Sequence, residues 1–303
     1  MDALIVGLGN IGLMYDINEN KRTFIRTHSK ALYCSKYFTK IGVVDTNQSK
    51  INLAKKKYNF KLFKKIPNAL KEIKPQFVII SSETKNHYKN FKEIIKYHIP
   101  KIVLIEKPIS NDIKKIKKIL NICKKKRIKL FTNFIRRSEP SVISIKKKVL
   151  KGYYEGCIYY NKGFLNNGSH WINLLEYFFG KVQNFKICYS KKIGFDKNIS
   201  VKLIFKKSSI FLLYKKNDKN TNYMQINSKF NKINYLNAGK KIFYKRNIDG
   251  KIKIINNSMN KYQLNVLNEI IKVFKKNKEY NLCGQKEALS NFKTIFRIYN
   301  TKI

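Results

Sequence analysis

The sequence predicts an α/β chain: an N-terminal doubly wound parallel sheet, then a C-terminal α+β domain with a mainly antiparallel open sheet. Three observations carry this. Over about the first 130 residues short apolar runs alternate with longer amphipathic ones, the rhythm of β-α-β units. A turn with regularly spaced glycines follows the first apolar run. After Arg137 the pattern becomes alternately apolar and polar, which suits strands with one solvated face. A length of 303 residues exceeds the roughly 100 to 200 expected of one domain, and the two domains are placed at 1–133 and 134–303.

In chain order, strands are expected at residues 3–6, 41–45, 77–81, 102–105 and 128–133. Between them, 86–98 set Phe91, Ile94, Ile95 and His98 on one helical face, and 112–123 do the same with Ile113, Ile116, Ile119, Leu120 and Cys123. A basic helix over 139–150 leads to a strand through Ile158. The run KGFLNNGSHWINLLEYFFG then reads as a loop entering a buried helix that stops at Gly180. Residues 183–255, typified by ISVKLIFKKSSIFLLYKK, read as the antiparallel sheet, and helices near 261–276 and 285–299 close the chain. No Pro/Gly/Ser-rich linker separates the halves, so a cleft between packed domains is the expected place for a ligand.

Composition narrows the class. Of the 65 basic residues only seven are Arg, against 18 acids, for a formal charge of +47. Arginine has the planar fork that reads guanine and clamps phosphate. Here the excess is lysine, spread over the whole chain together with abundant Asn, Ile, Tyr and Phe, as A- and T-rich codon usage would produce. No specific nucleic-acid partner is therefore expected, although weak, salt-sensitive RNA binding in vitro is. No window approaches the ~20 apolar residues of a membrane span, and no basic leader precedes the apolar residues that begin at Ala3. A cytoplasmic location without membrane attachment follows as the expectation. Cys34, Cys123, Cys157, Cys188 and Cys283 are scattered and odd in number, so neither a disulfide framework nor a metal site is expected.

The chemistry begins in ALIVGLGNIG, where Gly7, Gly9 and Gly12 stand in G-x-G-x-x-G spacing directly after a strand. Such a turn must be tight, lets backbone approach a pyrophosphate, and leads into a helix N-terminus facing the phosphates. Asn10 and Ile11 belong to the same turn. Packing of a helix on a sheet is the plainer use of such glycines. A second strand ending in Asp45 favours the dinucleotide, because that carboxylate can accept from a ribose 2′-hydroxyl and would repel a 2′-phosphate. NAD is thus expected over NADP. The gap from Gly12 to Asp45 is longer than the usual ~20 residues, which points to an insertion at MYDINENKRTFIRT. Glu106-Lys107-Pro108 follows the fully apolar IVLI, at the carboxyl end of a parallel strand where open α/β sheets keep their ligands. Lys107 there would meet the nicotinamide edge.

GLGNIG, the strand ending in Asp, the SSETKNHY turn, EKP and NFIRRSEP occur in the order and spacing of the glucose-fructose oxidoreductase and inositol dehydrogenase family, which the chain resembles. THSKAL and the segment around NGSH resemble a branch often associated with bacterial surface-polysaccharide genes. The resemblance is strong to Gly180 and only architectural beyond it. It implies a Rossmann domain, a sugar or nucleotide-sugar substrate and a homo-oligomer. By position it implies that Ser82 and His87 lie in the loop passing adenosine and pyrophosphate, with a capping or core role for His87 an equal alternative. Glu106 and Lys107 would flank the nicotinamide and the substrate hydroxyl, Lys107 contacting the substrate, and Pro108 would follow a cis peptide. Asn133, Arg136 and Arg137 would line the domain junction, with one arginine on the substrate. Asn167 and His170 would contact substrate, with Lys107 and His170 the catalytic pair. For His28, in THSKAL, packing is expected. Where the family pattern around His170 has acids, this chain has Asn166 and Asn173, which puts a carboxylate-histidine relay in doubt.

These residues lead to an NAD-dependent oxidoreductase acting on the secondary alcohol or ketone of a sugar or nucleotide sugar. The alternative is a catalytically altered dinucleotide-binding sensor or assembly protein, and a nucleic-acid-binding protein ranks third.

Overall fold

The computed structural model describes all residues except 21, 149, 217–221, 257–258, 278 and 302–303. It divides into two compact units, Met1–Ile135 with Asn260–Leu289, and Arg136–Met259 with Ser290–Ile303.

In the first unit the strands are β1 (Asp2–Val6), β2 (Lys40–Val44), β3 (Lys61–Phe63), β4 (Phe77–Ile80), β5 (Ile102–Ile105) and β6 (Lys129–Thr132). The helices are α1 (His28–Cys34), α2 (Gln48–Tyr58), α3 (Ile66–Ile73), α4 (Thr84–Tyr97) and α5 (Ile113–Lys125). The strands lie in the order β3-β2-β1-β4-β5-β6, all parallel, as expected of a doubly wound sheet. Strands such as FVII and IVLI are buried throughout because helices cover both faces.

The second unit contributes α6 (Pro140–Lys148), β7 (Tyr154–Tyr160), α7 (Ser169–Phe179), β8 (Asn184–Ile193), β9 (Asp196–Phe205), β10 (Ser208–Tyr214), β11 (Tyr223–Asn227), β12 (Asn231–Leu236), β13 (Lys241–Arg246) and β14 (Ile252–Asn256). The eight strands are antiparallel neighbours except for the parallel pair β7–β10. One face is apolar: Tyr154, Ile158, Val201, Leu203, Leu212 and Tyr235 are all buried. Helix α7 packs on it through Trp171 against Tyr235 and Phe179 against Tyr154 and Phe205.

Three later elements complete the chain: α8 (Tyr262–Phe274), the two-residue β15 (Cys283–Gly284), antiparallel to β6, and α9 (Gln285–Asn300). Although α8 follows the large sheet in sequence, it belongs to the first unit. Val266, Leu267, Ile270 and Val273 are buried in that unit's core, and Phe274 meets Phe38 and Phe77 edge-on. Aliphatic side chains stabilise by roughly 1.5–3 kcal/mol each when fully buried, so this apolar stripe fixes where α8 docks.

Candidate functional site

The glycine turn follows β1 and is built from backbone contact. Gly7 has φ +104°, and a Cβ there would fall on the backbone N and Cα of Ser82. A Cβ on Gly12 would strike the carbonyl oxygen of Gly7. Gly9 differs: the nearest atom to a Cβ there is the Ser81 carbonyl oxygen at 4.0 Å, and the residue lines a cavity of about 630 Å³ with Gly7, Asp45 and Ser82. Gly7 and Gly12 are thus required by the fold of the turn. Gly9 leaves open space at the cavity wall.

The helix expected after the turn is split. A first turn forms, with Leu13 N donating to the Gly9 carbonyl at 2.9 Å and Tyr15 N to that of Asn10. The chain then leaves and returns at α1, where His28 N donates to Ile11 O and Ser29 N to Gly12 O, both at 3.0 Å. Those carbonyls would be taken by residues 15 and 16 of an unbroken helix, so the insertion is an excursion that re-enters in register. Buried Asp16 closes it: Oδ2 accepts from Arg26 N and Thr27 N, and Oδ1 from the Thr27 hydroxyl. Thr27 in turn caps α1 by accepting from Lys30 N. Asn10 is exposed and Ile11 partly so, both in the first turn, whose N–H groups have no helical acceptor of their own.

Asp45, just past β2, accepts from Leu8 N at 2.6 Å and from Asn47 N at 2.8 Å. Lys50, Lys64 and Lys65 line the same cavity. At the end of β4, Ser81 Oγ donates to the Gly7 carbonyl, and Asn90 Nδ2 donates to Ser82 Oγ at 2.9 Å. His87, buried on α4, places Nε2 at 2.8 Å from the Ser82 carbonyl oxygen and Nδ1 at 3.0 Å from that of Pro108. It spans the loops after β4 and β5, and burial pulls its pKa down against these contacts. Here it is a core histidine holding two loops.

Glu106 and Lys107 follow β5 on the same carboxyl edge of the sheet, outside the cavity lining, and the Lys107–Pro108 peptide is cis, as the resemblance implies. Glu106 Oε1 accepts from Asn133 Nδ2 at 2.5 Å and from His28 Nε2 at 2.7 Å. Burial pushes this carboxyl up, but the hydrogen bond and charge of His28, then Asn133 and Lys107, outweigh it and leave it below its usual range. His28 is buried, as a packing role requires, and beyond that role the excursion brings its imidazole onto a carboxylate 78 residues away.

In the second unit, Arg136 is 6% exposed, with its guanidinium 4.4 Å from the centre of the Trp171 ring and hydrogen-bonded to Tyr235. Arg137 lies over Tyr177 at 4.5 Å. Asn167 Nδ2 donates to Asn222 Oδ1 and to Asn161 Oδ1. His170 is half-buried in the first turn of α7, Asn173 is buried one turn on and Asn166 is exposed. Asp196, from the start of β9, accepts from the backbone N–H groups of Leu165 and Asn166. An acid from a distant strand thus fixes the loop before His170. Sequence reasoning missed Asp196, Asp16 and the partner of His28; for the two aspartates the one usable signal was an isolated acid in a lysine-rich chain.

Among the described residues no group of His, Cys, Asp and Glu side chains is arranged to hold a metal, and no helix is long and apolar enough to cross a membrane.

Residues 1–134 match the model of the oxidoreductase family with an NAD-binding Rossmann fold, so the resemblance read from the sequence is borne out over the first domain. No curated protein matches the chain. Among solved structures, UDP-N-acetylglucosamine 3-dehydrogenase GnnA from Acidithiobacillus ferrooxidans superposes with a TM-score of 0.78 at 10% identity, over 99% of this chain and 96% of that one. The WlbA dehydrogenase from Bordetella pertussis, in complex with NADH and UDP-GlcNAcA, gives 0.75 at 14% identity, over 98% and 94%. The transcriptional regulator Gal80p from Kluyveromyces lactis gives 0.80 at 12% identity, over 98% and 88%. At such identities the likeness is one of fold.

Proposed function

We propose, starting from a first domain that matches the NAD-binding Rossmann domain of an oxidoreductase family, that the chain moves hydride between NAD and the secondary alcohol or ketone of a sugar or nucleotide sugar. The observation that carries the reading is the pairing, on one sheet edge, of the cavity at the glycine turn with an ionised Glu106 beside Lys107. The open side of Gly9 fits close approach by a pyrophosphate, and five lysines among the lining residues suit its charge. Asp45 would hold the adenosine ribose hydroxyls, and Ser82 the backbone side of the same cradle. When bound, NAD supplies the hydride acceptor and NADH the donor. An alcohol gives up hydride only as its proton leaves, so a base must stand at the carbinol. Lys107 Nζ takes that part, and as a cation it polarises the carbonyl in the reverse direction. His170 is the second proton carrier, and Arg136 and Asn167 belong to the substrate side.

The substrate class is supported by the resemblance of the sequence and by the UDP-sugar dehydrogenases among the similar folds. The proposal includes a homo-oligomer through the second domain, where Phe211 and Ile254 stand exposed on the strands. Incubating the protein with NAD and a panel of sugars and nucleotide sugars, while following nicotinamide absorbance, tests the reading. A second reading, a dinucleotide-binding sensor, is favoured by Asn166 and Asn173 in place of acids and by the regulator of like fold. Turnover of any member of the panel supports the enzyme; NAD binding with no turnover across it supports the sensor.

A further inference from the structure

Glu106 has little water around it: its side chain is 13% exposed and that of His28 3%. An ionised carboxylate in such a place needs donors. Its Oε1 is met by His28 Nε2 at 2.7 Å and by Asn133 Nδ2 at 2.5 Å. An ionised carboxylate carries no hydrogen, so Nε2 of His28 must be the protonated nitrogen. Among the described residues, Lys107 beside it, His87 from α4 and Tyr262 from α8 also interact electrostatically with Glu106. Burial holds the His87 pKa down and pushes that of Tyr262 far up, so both are neutral near pH 7.

The imidazole of His28 is not needed to place α1. That helix is already fixed by the Thr27 cap and by the backbone bonds of His28 and Ser29 to Ile11 and Gly12. We propose that His28 is a positioning residue for the reaction, acting through Glu106: it holds that carboxylate ionised and in one orientation beside Lys107. Burial alone would raise the Glu106 carboxyl, and the bond and charge of His28 head the contributions that bring it down. An anion beside Lys107 favours the cationic lysine, the form that polarises a carbonyl and returns a proton. If Glu106 takes up a proton, Lys107 loses that support. The catalytic meaning rests on the role given to Lys107 above; the charge state of Glu106 does not.

The test is a carbon-13 NMR titration of the glutamate carboxyls in the parent, His28→Ala, His28→Met and His28→Gln, with the Glu106 signal identified by its loss in Glu106→Gln. The amide of glutamine keeps an N–H donor, whereas alanine and methionine do not. Glu106 should titrate below the ordinary glutamate range in the parent, higher by about 1 pH unit or more in the two variants without a donor, and between these in His28→Gln, which keeps an N–H donor but not the charge. The methionine variant keeps the side-chain volume if alanine leaves the fold too weak. With a substrate in hand, the acid limb of kcat against pH should move up with Glu106 while KM changes little. Equal titration of Glu106 in all four proteins overturns the proposal, as does a moved Glu106 with an unchanged pH-rate profile. A moved Glu106 in a parent that turns over no sugar upholds the His28–Glu106 coupling and sinks the sugar reading instead.

Discussion

Substituting Gly9 and Gly12 by alanine separates what the glycine turn does for the fold from what it does for a ligand. At Gly12 the added methyl would meet the Gly7 carbonyl oxygen, with Leu8 Cα at 3.1 Å, so backbone must move. Overpacking of this kind costs about 1–3 kcal/mol. At Gly9 the nearest atom is 4.0 Å away and the methyl would project toward the cavity. Gly9→Ala should therefore fold with stability within about 0.5 kcal/mol of the parent. Its cost should fall on NADH, where the methyl occupies the space for the pyrophosphate. The same 1–3 kcal/mol spent on binding weakens affinity by roughly 5- to 150-fold, since ~1.4 kcal/mol is tenfold. Thermal melts without cofactor and calorimetric titration with NADH give the two numbers. Gly12→Ala should lower the melt first. A Gly9→Ala protein that binds NADH as the parent does would refute the placement of the pyrophosphate against this residue.

Cofactor choice should reside in Asp45. Asp45→Ser should narrow a preference for NAD over NADP by roughly tenfold or more, because it removes a charge facing the 2′-phosphate and leaves Lys50, Lys64 and Lys65 in the same cavity; equal affinities in the parent would end this assignment. Glu176 predicts a pH dependence. Burial raises its pKa, and the bonds from Asn291 and Thr294 only partly oppose this. The folded carboxyl then keeps its proton to higher pH than the unfolded one, so its contribution is whole at low pH and is lost as pH rises from about 4 through the folded value. Melting temperature in Glu176→Gln should fall less over that rise than in the parent, and parallel curves would contradict the assignment.

The first unit was legible wherever a strand is buried on both faces or a motif is local. IVLI, FVII, the glycine turn and Asp45 fall where the sequence places them. By contrast β3 is three residues at a sheet edge, beginning with an exposed lysine, and α2 buries only Ile51, Ala54 and Tyr58 among its lysines. Lysine enrichment hides such weak periodicity. What escaped at the site depends on long-range pairing. His28 needs Glu106, Asp196 needs the loop at Leu165, and the buried arginines need Trp171 and Tyr177, none of which any local spacing announces. The docking of α8 in the first unit was hidden for the same reason, because its apolar stripe fits either half.

The central claim is that Lys107 carries the proton in an NAD-dependent oxidation or reduction. The most direct measurement is the rate of nicotinamide absorbance change in Lys107→Met against the parent, with the substrate found in the panel, alongside NADH affinity in both. A reduction in kcat of about 10²- to 10⁴-fold, the usual range for losing a general acid or base, with NADH affinity unchanged, is the predicted result. A Lys107→Met protein that turns over at the parent rate would contradict it.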